Sequence, residues 1–567
     1  MRYRRLIVYF FTALLLAIPA LSAMLQAEWD GSVTLTAVVT VGEREQQIRC
    51  WNQQEQDHIL FLPGNAELSQ IKLSTNTENQ VWLGDTLLTE GISCQNFQLN
   101  TPYPLVYENR GERYTFTLTL LQASRLPAMY IDVASGSMDH IHQDRDNEEP
   151  GTLRIYSAEG ALDYEGDMES LKGRGSSTWE REKRPYNLTL SSEGDLLGMG
   201  KAERWILLAN AMDPSNLRNK LVYDFAQELG MPYTPECRWV DLYLNGEYAG
   251  LYLLTERNEV HSQRVALEEV GSFLVSKEAE WRMDARQQPY IMTEADTALR
   301  IHYSDLGSQE LLELWQSAEN AILAEDGVDP VTGKHWTELI DGESWARKLL
   351  LEEVLGNSDG GTLSQYFYRS GTDRICAGPI WDYDLALANR ISQPNPVPNT
   401  FFALRENLYG SKWFHGLYQH EEFFDTLVRL YETEFRQPVQ QLLDTGIDAY
   451  ARQIEGSSAM NNLRWRFADD REETEHIKAY LAQRLEFLDQ IWLEQQPYLE
   501  VYVTGYDNAF NLYLLRPGDT VPGLQEYESN DTTLFYGWYH TDTQQPFDPA
   551  EPVWEDIRIY LKYETRQ

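Results

Sequence analysis

Three carboxylates within one short stretch of the chain are of the residue types that phosphoryl transfer requires. In Leu355–Leu385, LGNSDGGTLSQYFYRSGTDRICAGPIWDYDL, Asp359 sits in a turn ahead of a strand-like QYFY run, and a second apolar run leads to Asp382 and Asp384. A hairpin-length segment joins the two positions, so neighbouring strand ends can bring the carboxylates together. One aspartate can then orient or deprotonate an attacking hydroxyl while the other holds the magnesium ion that neutralises the phosphates. Asp384 lies two residues after Asp382, and on an extended strand the two share a face. Asp384 therefore reads as a second metal contact or as a structural hydrogen-bond acceptor. The pattern alone is a weak signal, because a chain with 88 acidic residues places carboxylates near one another by chance.

A chain of 567 residues has room for roughly three or four domains. Hydrophobic residues at 42% and aromatics at 12% suffice for packed cores and exclude a disordered polymer. The 47 basic and 88 acidic residues leave a formal charge of −41, which argues against a general binder of nucleic acid or anionic membrane. The local basic cluster of Arg181, Lys183 and Arg184 stands out against that background.

Arg2, Arg4 and Arg5 precede an uncharged run, Leu6–Ala27, with small residues suited to cleavage near Ala23 or Ala27. The run reads as a cleaved signal peptide or as a retained membrane anchor, and either one exports the remainder. In an oxidising compartment Cys50 and Cys94 are expected to form a disulfide, while Cys237 and Cys376 pair or stay as buried thiols. No spacing of cysteine and histidine supports a zinc site.

The segment 28–123 alternates apolar and polar residues between turn signals and reads as a β-sandwich. The segment 124–496 mixes strands with helices. It contains an Asn-Gly hairpin turn in LYLNGEYAGLYL, an amphipathic helix SNLRNKLVYDFAQELG that stops at Gly230, and helical periodicity through most of Glu421–Trp492. His140, His142, Asp144 and Asp146 share a polar loop that reads as solvated rather than metal-binding. Gln393–Pro398 is a loop, either a lid over a site or an irregular surface connection. After Pro497 the pattern returns to strand, giving a β module over 497–567.

Four ordered phrases carry a family resemblance: GRGSSTWEREKRPYNLTL (173–190), the long stretch 203–256 from ERWILLANAMDPSNLRNK to GLYLLTE, NSDGGTLSQYFY (357–368) and PIWDYDLALAN (379–389). Together they resemble the CotH family of spore-coat kinase-like proteins and their exported relatives. The resemblance implies an α+β chain whose central domain is a divergent protein-kinase-like fold. It places Asp359 as the catalytic-loop aspartate and Asp382 as the metal-binding one. Arg174, Ser176, Ser177 and Thr178 look like a phosphate-facing turn, or else a plain turn ahead of a packed Trp179. Lys183 falls at the family's basic position and would contact the α- and β-phosphates, with Arg184 as the alternative. Glu256 would pair with that lysine, or form an ion pair at a strand end. Asn210, Asp213, Arg218 and Asn219 read as capping and scaffold residues.

One departure concerns the second metal position, where kinases use asparagine and this chain has Ser364 and Gln365. Gln365 or Ser364 could substitute as an oxygen ligand to the metal, with altered reach. At the C-terminus, Gly537, Trp538, Tyr539, Pro546, Phe547 and Tyr560 resemble the bacterial surface repeat of internalin B type, a small β-grasp-like unit. The expectation is an exported kinase, dependent on ATP and Mg²⁺ (or Mn²⁺), acting on serine or threonine of a surface or matrix protein. The alternative is a non-catalytic pseudokinase in adhesion or envelope assembly; a glycosidase with paired carboxylates is a third class.

Overall fold

The computed structural model describes residues 34–565 apart from 42–43, 54–56, 76–79, 89–91, 94–96, 110–111, 390–396, 406–410, 469, 507–509, 525–526 and 530–531. The expected signal or anchor segment, the Cys50–Cys94 disulfide and most of the 393–398 loop therefore lie outside the described residues. Among the described residues no helix is long and apolar enough to cross a membrane. The chain forms two compact units, one of residues up to Gln122 with Gly246–Tyr248 and one of the remainder.

The first unit is all strand. Its first strand, Leu35–Val41, buries every second residue, which is the period-2 signature of a sheet with one covered face. It belongs to a four-stranded sheet, and a six-stranded sheet is built around Glu112–Gln122, which pairs parallel with Asp57–Leu62 and antiparallel with Tyr103–Asn109.

The second unit begins with seven strands: β1 (Ala128–Val133), β2 (Glu148–Tyr156), β3 (Leu162–Gly173), β4 (Tyr186–Asp195), β5 (Lys201–Leu208), β6 (Cys237–Leu244) and β7 (Glu247–Glu256). They close into a barrel in the order β1-β2-β3-β4-β5-β7-β6. Closure comes from the parallel pairing of β1 with β6, Ala128 opposite Asp241. The β6–β7 turn is Asn245-Gly246, both with positive φ (49° and 81°), as a two-residue type I′ hairpin requires. Met129, Ile131, Leu153, Leu188, Leu207, Val240 and Leu254 fill one core of the barrel. Helix α1 (Arg218–Glu228) packs between the barrel and the rest of the unit through Leu221, Val222, Phe225 and Ala226.

A second sheet follows: β8 (Phe273–Lys277), β9 (Tyr290–Met292), β10 (Ala298–Ser304), β11 (Gln365–Arg369) and β12 (Cys376–Ala377), in the order β9-β10-β8-β11-β12. The short helix α2 (Glu280–Ala285) links β8 to β9. Helices α3 (Ser308–Leu323), α4 (Gly342–Leu355), α5 (Ile447–Trp465) and α6 (Asp470–Leu488) complete this half around a large core that includes Trp315, Trp345 and Trp413. The α+β class is as expected. The closed barrel is not anticipated by local patterning, because it depends on pairing strands more than one hundred residues apart.

The last four strands, β13 (Leu499–Thr504), β14 (Phe510–Leu515), β15 (Thr533–His540) and β16 (Ile557–Thr565), form a mixed sheet ordered β14-β13-β16-β15. Trp538 and Phe547 lie in its core. The module belongs to the second unit: Tyr502, Leu512 and Leu514 join the large core, and Leu514 N donates to the Asn399 carbonyl at 2.9 Å.

Candidate active site

Helix α4 sets the first acid. It stops at Gly356, whose left-handed φ of 61° lets its N–H return to the Glu352 and Glu353 carbonyls. The chain then turns through Asp359, with Thr362 N donating to the Asp359 carbonyl at 3.0 Å. Buried Asn357 fastens this turn: its Nδ2 donates to Glu352 Oε2 at 2.8 Å and its Oδ1 accepts the Asp359 N–H at 3.3 Å. Glu352 also pairs with buried Lys348 and accepts the Tyr383 hydroxyl at 2.7 Å. Tyr383, between Asp382 and Asp384, is buried, while both aspartates line the cleft. One buried network thus anchors the turn of Asp359 and the segment of Asp382.

That segment is strained and held from below. Asp382 has φ 72°, and Ser364, Leu387 and Ala388 are also left-handed at 57°, 51° and 55°. Asn219 Oδ1 accepts the Tyr383 N–H at 2.8 Å, and Asn389 Nδ2 donates to the Asp384 and Met212 carbonyls at 2.6 Å each. Arg218, fully buried, donates to the Ala386 and Leu387 carbonyls at 2.8 and 3.3 Å and pairs with Asp213 and Glu473. Asp213 also accepts the Arg218 backbone N–H at 2.8 Å. Arg218 and Asn219 therefore hold the backbone of the acidic segment, Asp213 holds Arg218, and Asn219 also lines the cleft.

A cleft of about 710 Å³ opens between the barrel end and the second sheet, lined by Asp359, Asp382 and Asp384 together. Against the acidic background of the chain its walls carry seven cations: Arg145, Lys172, Arg174, Arg257, Arg282, Arg286 and Arg300. The turn 174–178 forms part of the wall, with Gly175 at φ 84° and a Cβ there overlapping the Thr178 hydroxyl. Arg174 lies over the Trp381 ring at 5.0 Å and donates to Asn187 Oδ1 at 3.2 Å. Ser176 Oγ accepts from Arg286 at 2.8 Å, and Ser364 Oγ donates to Asp382 Oδ2 at 3.1 Å. Trp179 is also packed, beneath Arg184 at 4.5 Å, so this segment is both a packed turn and a cleft wall.

The electrostatics follow from the crowding. Burial, then the Asp382 carboxylate, pushes the pKa of Asp359 up to about 6, with Arg282 opposing. Asp384 keeps some contact with solvent, yet it is recessed among protein atoms. Desolvation there, then Asp382 and Asp359, holds it well above the usual carboxylate range. A divalent cation between these groups would offset that repulsion. Among the described residues no three acidic, histidine or cysteine side chains form a ready-made metal cage. A magnesium ion that takes most of its shell from phosphate oxygens and water needs one or two protein carboxylates, and Asp382 and Asp384 fit that role.

Four expected ligands are elsewhere. Lys183 is buried under the barrel, where its Nζ donates to the Leu251 carbonyl at 2.6 Å and lies 4.7 Å from the Tyr252 ring centre. Burial holds its pKa well below the ordinary lysine value. Arg184 donates to the His142 carbonyl at 2.6 Å instead of facing the cleft. Glu256 pairs with Arg264 and accepts the Glu236 N–H at 2.8 Å, so the expected Lys183–Glu256 pair does not form. Gln365 is buried with its Nε2 on the Leu363 carbonyl at 3.2 Å; alternation along β11 turns it opposite to Tyr366, which lines the cleft together with Ser364 just before the strand. Cleft residues that sequence reasoning passed over are Glu278, Arg257, Arg282, Arg286, Arg300 and His302. The four arginines among them are scattered from position 257 to 300, and no local motif marks them. Cys237 and Cys376 are thiols, and the loop of His140 and Asp146 holds no metal cluster among the described residues.

Residues 171–488 match the family described as CotH kinase protein. The inner spore coat protein H of Bacillus subtilis (strain 168) is similar at 24% identity over 264 residues, covering 46% of this chain and 69% of that protein.

Proposed function

The chain belongs to the CotH kinase protein family, and from that premise we propose that it is an ATP-dependent kinase acting on serine or threonine of a surface or matrix protein. The observation that carries this reading is the convergence of Asp359, Asp382 and Asp384 with a set of cations in one cleft. A triphosphate is the ligand whose charge matches those cations, and a hydroxyl is the nucleophile that a single basic carboxylate can serve. Asp359, with its pKa pushed up to about 6, is basic enough to accept a hydroxyl proton and is held by the Asn357 turn. Asp382 and Asp384 would hold Mg²⁺ or Mn²⁺, which supplies charge neutralisation of the phosphates when bound. Arg174 takes the phosphate-facing role that buried Lys183 cannot, with Ser176 and Ser177 beside it.

The barrel on one side of the cleft and the second sheet with its helices on the other support a kinase-like, two-lobed reading of the central domain. An outer-layer location is consistent with the spore-coat relative and with the apolar N-terminal run. The C-terminal sheet, with Trp538 and Phe547 in its core, is consistent with a surface-repeat role. A second reading, a pseudokinase, is favoured by one observation: Gln365 provides no ligand at the second metal position.

Thermal denaturation tests the kinase reading. Ligand at one hundred times its Kd stabilises a folded protein by about 2.7 kcal/mol, so ATP with Mg²⁺ should raise Tm while ATP with chelator should not. A Tm that never responds to nucleotide and metal together removes the reading.

A further inference from the structure

Of the seven cleft cations, five are engaged by the protein itself. Arg145 pairs with Asp146 at 2.9 Å, Lys172 lies 3.7 Å from Glu148, and Arg257 lies 3.9 Å from Glu259. Arg174 and Arg286 donate to Asn187 and Ser176. Arg282 and Arg300 differ. The buried Nε of each has no hydrogen-bond partner, and neither forms an ion pair among the described residues. Arg300 stands on β10, opposite Ser276 and Tyr290 in the sheet register, and is placed by the rigid ladder. Arg282 rides on α2, its guanidinium 5.3 Å from the Trp281 ring centre, and is near enough to Asp359 to offset part of that carboxyl's repulsion from Asp382. Glu278 is the acidic residue shared by both, and one carboxylate cannot satisfy two guanidinium forks. A buried guanidinium N–H without an acceptor is costly unless a ligand supplies one, and here it is the Nε of each half-buried arginine that lacks one. Their fork geometry suits phosphate oxygens.

We propose that Arg282 and Arg300 form a two-arginine clamp for the triphosphate of the incoming nucleotide, gripping it from the side of the second sheet beside Asp359. The clamp rests on the nucleotide reading above and names residues that reading does not require. It divides the labour in the cleft: the barrel turn at Arg174 faces the phosphates from one wall, and the clamp faces them from the other.

The test is calorimetric titration of the full chain with Mg·ATP and, separately, with inorganic tripolyphosphate. Wild type is compared with Arg282→Ala, Arg282→Lys, Arg300→Gln and, as a remote charge control, Arg471→Ala. The clamp predicts at least a tenfold rise in Kd for both ligands in Arg282→Ala and in Arg300→Gln. Arg282→Lys should be intermediate because it keeps the charge and loses the fork, and Arg471→Ala should match wild type. Unliganded melting should be nearly unchanged in Arg282→Ala, which therefore decides the matter if Arg300→Gln folds poorly. Undiminished Mg·ATP binding in the clamp variants overturns the clamp and leaves the kinase proposal standing. Wild-type binding of tripolyphosphate but not Mg·ATP, lost in the variants, keeps the clamp and removes the nucleotide. Wild-type binding of neither overturns both.

Discussion

Replacing Arg218 by methionine removes the clasp beneath the acidic segment, and its cost can be worked from the contacts. The guanidinium has no exposure and pairs with Asp213, also fully buried, and with Glu473. It also holds the Ala386 and Leu387 carbonyls at 2.8 and 3.3 Å. Breaking a buried pair by removing one partner costs roughly 3–5 kcal/mol, mainly because the remaining charge stays uncompensated. Orphaned carbonyls add about 1 kcal/mol or more each where no water reaches them. In so large a unit one kcal/mol moves Tm by about 2 °C or less, so Arg218→Met should melt up to roughly 10 °C lower. Because the lost bonds sit four and five residues beyond Asp382, nucleotide-dependent stabilisation should also shrink. A double-mutant cycle with Asp213→Asn, read by chemical denaturation, should show a coupling energy of at least about 2 kcal/mol. A variant that melts within a degree of wild type, or a cycle with additive losses, would refute the clasp.

Three further outcomes follow from particular residues. Gly175→Ala forces a side chain into φ 84° and against the Thr178 hydroxyl, costing about 1–3 kcal/mol by denaturant titration, and Thr178→Ala in the same chain should recover the clash portion. Burial, then Arg300 and Arg257, pulls the pKa of His302 down to about 3 from 6.5. The unfolded chain then binds the extra proton between those values, so stability falls as pH drops below about 6.5. Allowing for the side chain's partial exposure, going to pH 5 should cost roughly 1–2 kcal/mol, and this slope should flatten in His302→Gln. Lys183→Met should leave Mg·ATP affinity within about twofold of wild type in a binding titration, since its amine faces Leu251, whereas Arg174→Met should weaken it about tenfold or more.

The residues of strongest chemical character were legible because they stand in short motifs. Asp359 and Asp382 are separated by a segment that folds into β11 and β12; Asp382 and Asp384 both reach the cleft, but through an irregular turn in which Asp382 is left-handed rather than through the extended strand expected. The Asn245-Gly246 turn and helix α1 were equally local in origin. Lys183 was misread because spacing gives the distance along the chain and not the side of the wall: Gly250 leaves room for the lysine stem beneath the barrel. Glu256 takes its alternative reading, an ion pair at a strand end, because Arg264 from a following loop reaches it first; the pair is buried rather than exposed. Arg282 and Arg300 could not have been found locally. They enter the cleft from α2 and β10, and only the ordering of the second sheet brings them beside an aspartate that follows α4.

Phosphoryl transfer itself is the most direct measurement of the central claim. The full chain, its Asp382→Asn variant and its Asp359→Asn variant are incubated with γ-labelled ATP, magnesium and a serine-rich protein acceptor. The account predicts label on the acceptor or on the chain itself with wild type, and a loss of about a hundredfold or more in each variant. Equal labelling by all three proteins, or none by wild type under conditions where it binds Mg·ATP, would contradict it.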